Sequence, residues 1–196
     1  MALSNAHLDR IRACTSREIK DKQATLRDHY RTDPTAARVT DHAQTSDGDI
    51  PASHPIHTQI TCGQGVPVEI PISVHRAVGG ESDFPCPGDI LAAALASCFD
   101  TAIRMIATLK GIPLTHLSVS ASLTADVRGT LMMDRDVPVG FQDLTVKVDL
   151  HTPENVRAEQ AVALLEAAEH CCVVLQTLRA PPNINLERVI NGAIRD

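Results

Sequence analysis

The chain has 196 residues, 43% hydrophobic and 21% charged, the proportions of one globular domain. Its net charge of −6 offers no basic footprint for nucleic acid, and its charged start, MALSNAHLDRIRACTSREIKDK, lacks the apolar stretch of a secretory signal. No run of about 18 apolar residues stands out as a membrane span, so no nucleic-acid or membrane partner is expected and the expected location is cytoplasmic.

With aromatic residues at only 2%, the core has to be built from Ala, Leu, Val and Ile. The first thirty residues read as helix, with a capping box at Thr15–Glu18 and Ile19, Gln23, Leu26 and Tyr30 at helical intervals. Pro34 closes this segment, so residues 1–34 form an N-terminal helical extension and residues 35–196 the domain proper. Ala36–Gln44 reads as a strand, SDGD as a turn, and IHTQITCGQG as the returning strand of a hairpin ending in glycines. VPVEIPISV, Val66–Val74, alternates with Pro67 and Pro71 on one face, as an edge strand does.

A polar loop then leads into a long apolar helix over Asp89–Lys110, which Gly111 and Pro113 terminate. HLSVSASLTADV and FQDLTVKVDL alternate as two further strands. TPEN places Thr152 as N-cap and Pro153 at the first position of a second apolar helix, and NINLERVI reads as a last strand. From Val66 onward the order is β-α-β-β-α-β, a split βαβ arrangement of the ferredoxin-like kind within an α+β fold.

Six cysteines, Cys14, Cys62, Cys86, Cys98, Cys171 and Cys172, are too few for a disulfide scaffold of this length. Leu91, Leu95, Cys98, Ala102, Met105 and Leu109 recur at intervals of three and four, which predicts one stripe of the long helix with Cys98 on it. A small buried hydrophobe accounts for such a Cys. The alternative is redox chemistry, because Cys171 and Cys172 end the second apolar helix and two thiol-bearing helices sharing a core allow a disulfide. Asp100 and Arg104 form an i,i+4 pair on another face. A zinc site has little support, since no C-x₂-C or H-x₃-H occurs, and no hydrolase, P-loop or dinucleotide motif is present.

PGDILAAALASC, running into Cys98, resembles the Cys-bearing helix of the OsmC-like proteins, relatives of the organic hydroperoxide resistance enzymes. CVVLQTL after Cys172 is similar to that family's second-cysteine motif, and RGTL and PVGF lie between them as in OsmC-like sequences. The likeness runs from about Val66 to Val189. It implies an intertwined α+β homodimer with two long buried helices and active sites between the subunits. It implies a thiol-dependent peroxidase needing no metal, flavin or haem, with an organic hydroperoxide as substrate and an external dithiol as reductant. Cys98 then matches the peroxidatic cysteine and Cys172 the resolving one, with Cys171 a packing neighbour.

The sequence departs from that pattern in one place: where the peroxidases carry a Glu ten residues before the reactive Cys, this chain has Gly88. Asp89 matches the acid of the helix motif, and the resemblance implies that it orients an Arg onto the thiol. Arg76 is the foremost candidate for that thiolate-stabilising cation, with Arg38 and Arg128 also eligible and His75, near Gly79 and Gly80, able to stand beside the site. The need is physical: a free thiol titrates near ~8.5 and burial raises that value further. Two other uses of the same fold stay open. One is a non-catalytic dimeric module binding a small apolar ligand, and the other is a slow redox sensor.

Overall fold

A computed structural model describes residues 8–195 apart from 10, 12 and 47. Helix α1 spans Ser16–Thr32 and opens on the expected capping box: Thr15 N–H donates to Glu18 at 2.8 Å, while Glu18 N–H donates back to Thr15 Oγ1. Residues 8, 9, 11 and 13 are helical as well, and the part of the helical expectation that falls on residues 1–7, 10 and 12 lies outside the described residues. None of the α1 side chains is buried; its first turn lies over the far end of the long helix, where Ser16 and Lys20 share a shallow pocket with Thr108 and Gly111.

The expected strand over Ala36–Gln44 is corrected. Asp33 caps a 3₁₀ turn at Pro34–Ala37 by accepting from Thr35 N–H, and strand β1 is confined to Ala43–Ser46. Proline fixes the turn's first dihedral, which outweighs the β-branched residues after it. β1 pairs antiparallel with β2 (His57–Cys62), and β2 with β3 (Val68–Ser73). Among the described residues β3 lies at the edge of this three-stranded sheet, with Pro71 opposite Gln59.

The long helix, α2, runs over Pro87–Lys110, with Pro87 in its first turn and Gly111 as a left-handed C-cap at φ 69°. Two long strands follow, β4 (His116–Thr124) and β5 (Asp143–His151), joined through the single helical turn α3 (Val127–Thr130). Their alternation holds: Leu117, Val119 and Ala121 pair with Leu150, Val148 and Val146, and all of these but Ala121 pack against the helix core. The expected N-cap at Thr152 is corrected. The Pro153 carbonyl accepts from Val156 N–H at 2.9 Å, closing a turn, and α4 (Ala158–Cys171) starts at Arg157, whose N–H donates to Gln160 Oε1.

A short helix α5 (Val173–Arg179) leaves α4 at an angle of 67°, and β6 (Arg188–Ile190) turns back on β7 (Ala193–Arg195). The element order matches the split βαβ pattern, but among the described residues the strands form three separate sheets: β1–β2–β3, β4–β5 and β6–β7.

The core lies where α2, α4 and α5 cover one face of β4–β5. The buried stripe of α2 is Leu95, Phe99, Ile103 and Ala107, one turn apart each, so the expected stripe through Met105 is rotated; Cys98 flanks the core and Met105 is exposed. Leu164 and Ala168 bring α4 against it. The expectation that no segment is apolar enough to span a membrane also needs correction. Among the described residues α2 qualifies by length and composition, and α4 with α5 would qualify as a bent pair.

Candidate functional site

Leu164, Ala168 and Cys172 continue one four-residue stripe from α4 into the bend, and all three are fully buried. Cys171, one position earlier, points about 100° away around the helix and is exposed. Position on the stripe thus separates the two adjacent thiols, and the spacing 164–168–172 is a sequence signal sufficient to do so.

The Cys172 sulfur faces the Cys98 sulfur across the α2–α5 contact, and both cysteines are free thiols. Burial pushes the Cys172 thiol up, opposed by the Leu175 and Val174 amides at the start of α5, while its contact with Cys98 raises it further. Cys98 is half-buried, which leaves it the more accessible of the pair.

Asp89 is not brought to this pair. Nine residues at about 100° each place it on the opposite side of α2 from Cys98, about 13 Å back along the axis. Its carboxylate accepts from Cys86 N–H at 2.9 Å, and that bond, with His75 nearby, holds the carboxyl below its usual range. Asp89 thus completes the N-terminus of α2 and, among the described residues, pairs with no arginine.

The three candidate arginines are engaged or turned out elsewhere. Arg76 Nη2 donates to the Glu81 carbonyl at 3.1 Å, while its amide donates to Ser82. Arg128 forks onto Asp126, with Asp134 3.6 Å away. Arg38 is exposed at the end of the 3₁₀ turn. His75 Nδ1 accepts from Ala77 N–H and caps its own short turn. Asp100 and Arg104 form the expected pair, Nε to Oδ1 at 2.5 Å. Where these guanidinium groups go depends on loop carbonyls and turn geometry that residue spacing does not carry.

A second feature opens at the N-terminal end of α2. A cleft of about 760 Å³ is lined by Cys86, Gly88, Asp89, Leu123, Val139 and Phe141, among others, but by neither Cys98 nor Cys172. A Cβ on Gly88 would lie 3.1 Å from the Phe141 ring, so a longer residue there would have to displace the ring. This gives the Gly88 departure a structural reason. Among the described residues no three His, Cys, Asp or Glu side chains are grouped as a metal ion would need.

Fold and site together define an α+β protein whose two core helices present one thiol each to a shared apolar core. The sequence profile of the OsmC-like proteins matches residues 79–187, more than half of the chain and both of those thiols; the chain belongs to the OsmC-like family. No curated protein matches it. Among solved structures it is similar to an organic hydroperoxide resistance protein OsmC from Legionella pneumophila, at 23% identity and a TM-score of 0.52, over 72% of this chain and 90% of that one. An organic hydroperoxide resistance protein from Elizabethkingia anophelis matches at 22% identity and TM-score 0.53, covering 74% and 91% respectively. An OsmC-like protein from Mycoplasma pneumoniae gives 13% and 0.54, covering 74% and 89%. At these identities the neighbours establish the shared fold.

Proposed function

We propose that this protein is a thiol peroxidase that reduces organic hydroperoxides to alcohols. The observation that carries this reading is the buried Cys172 thiol set against the more accessible Cys98 on the crossing helix. The Cys98 thiolate attacks the outer peroxide oxygen. The O–O bond breaks, the alkoxide takes a proton and leaves as the alcohol, and Cys98 becomes a sulfenic acid. The Cys172 sulfur then displaces that hydroxyl, giving the Cys98–Cys172 disulfide and one water. An external dithiol returns both thiols by exchange. The family membership and the apolar surroundings of the pair support an organic peroxide as substrate.

Completion of the site belongs to a homodimer in this reading. The edges of β3, β4 and β5 are unpaired among the described residues, and such edges are templates for a second chain. A second copy laid there is the proposed source of the cation that Cys98 does not meet among the described residues of its own chain.

The test is peroxide consumption with cumene hydroperoxide and a small dithiol, followed by peptide mapping. Wild type turns over and yields the Cys98–Cys172 linkage. Cys98→Ser loses turnover by at least about a hundredfold, as removal of a nucleophile does. Cys172→Ser, whose hydroxyl suits the N-cap of α5, stays folded and stops at the sulfenic acid. A disulfide through Cys171, or turnover that survives Cys98→Ser, sinks the mechanism. The cleft beside Cys86, separate from Cys98 and Cys172, favours the non-catalytic binding module instead. Wild type inert to peroxide yet binding an apolar fluorescent probe that Phe141→Ala releases would establish that reading.

A further inference from the structure

We infer that Gln176 is the positioning residue of the resolving thiol, holding the bend that aims Cys172 at Cys98. This rests on the Cys98–Cys172 pairing proposed above. The argument begins with the broken helix. In an uninterrupted α-helix the Glu169 carbonyl would accept from the N–H four residues on, at Val173. Cys172 instead adopts an extended conformation, φ −73° and ψ 103°, and the chain turns through 67° into α5. Val173 leaves the ladder, and the Glu169 carbonyl joins the orphaned acceptors of a helix end.

Gln176 replaces the lost donor. Its Nε2 donates to the Glu169 carbonyl at 2.9 Å, and its backbone N–H donates to the Cys172 carbonyl at the same 2.9 Å. One residue therefore brackets the bend from both sides, tying the last turn of α4 to the first turn of α5 with Cys172 between them. Its side chain is part-buried, so the hydrogen bond is shielded from competition by water. Arg179 adds a second tie to Glu169 at 2.7 Å, but both of those side chains are about half exposed, where an ion pair contributes little.

The consequence is read from the thiol pair itself. Reduced protein is equilibrated with mixtures of glutathione and glutathione disulfide, where two protein thiols become one disulfide as one glutathione disulfide becomes two glutathione molecules. The Cys98–Cys172 fraction is then counted by mass spectrometry after acid quench. Gln176→Met keeps the length and removes the donor. It is expected to lower the effective concentration of the pair at least about tenfold, which raises the potential by about 30 mV. Gln176→Lys restores a donor of similar reach and is expected to recover to within about threefold of wild type.

A Gln176→Met protein that folds and equilibrates like wild type overturns the assignment, and so does equal loss in Met and Lys. Should Gln176→Met fail to fold, Gln176→Asn, which keeps the amide but falls a methylene short, carries the same two outcomes. The assay contains no peroxide. A wild type that forms the disulfide in glutathione but consumes no hydroperoxide therefore overturns the peroxidase alone, whereas one that forms no Cys98–Cys172 disulfide overturns both.

Discussion

Asp89 shows how much of a helix terminus can rest on one carboxylate. Its bond from Cys86 N–H satisfies one of the donors that every helix start leaves open. Asp89→Ala is expected to cost about 1 kcal/mol at neutral pH, in line with other helix-start contacts. The pH dependence follows from the direction of its shift. The folded carboxyl titrates below its ordinary value, held there first by the Cys86 amide. Its contribution is therefore complete above that ordinary value and lost as the pH falls through the folded one. Thermal melts of wild type and Asp89→Ala should be separated at neutral pH and converge in strong acid. A constant gap would show that the carboxylate does not supply the difference.

The same scale shows what the sequence carried and what it did not. Cys98 and Cys172 were singled out through their motifs, and the structure packs both at one core. The arginine was out of reach, because Arg76 and Arg128 place their guanidinium groups on a nearby loop carbonyl and on the neighbouring Asp126, choices set by local turn geometry. Gln176 was overlooked because its partner is a backbone carbonyl freed by a bend, and a bend leaves no periodic trace.

At the scale of elements, α2 was legible because its punctuation is strong: Pro87 opens it and Gly111 closes it. Gly111 sits at φ 69°, a region that costs an L-residue about 1–2 kcal/mol. Gly111→Ala should lower stability by about 1 kcal/mol, measured by urea denaturation, and leave the thiol pair untouched. Parity with wild type would mean that the helix end refits. β4 and β5 were legible for a different reason: one face is covered by helices, so their period-two pattern is enforced by burial. Elements defined by polar turns were misplaced. TPEN has the composition of a helix start, but the Pro153 carbonyl closes a turn on Val156 and the helix begins later. Gly80 is a comparable hidden constraint, since a Cβ there would sit 1.8 Å from the Val74 carbonyl oxygen and no side chain fits.

For the whole molecule, the arrangement of sheets leads to an expectation about assembly. A two-stranded sheet and a three-stranded one, each with open edges, leave apolar side chains such as Val68 and Leu144 uncovered, and Val162 on α4 is exposed as well. Multi-angle light scattering at micromolar concentration should give twice the 21.1 kDa mass of one chain. A monomer mass would remove the proposed source of the cation beside Cys98, and with it the route by which that thiol is activated.

The apolar character of α2 also bears on how the chain is made. The helix ends at Lys110, β4 covers one side of it soon after, and the second helix that packs on it, α4, begins only at Ala158. During synthesis the segment is therefore complete while roughly fifty residues of its cover are still missing, an interval of several seconds at about 5–20 residues per second. In that window a ribosome displays a stretch that machinery sorting nascent chains reads by hydropathy alone. Ribosomes stalled before Ala158 should accordingly recruit holdase chaperones, and release of the finished chain, which frees α4 from the ribosome, should shed them. The 24-residue length that lets α2 reach across the core is thus a hazard of timing, relieved only when the second thiol-bearing helix arrives.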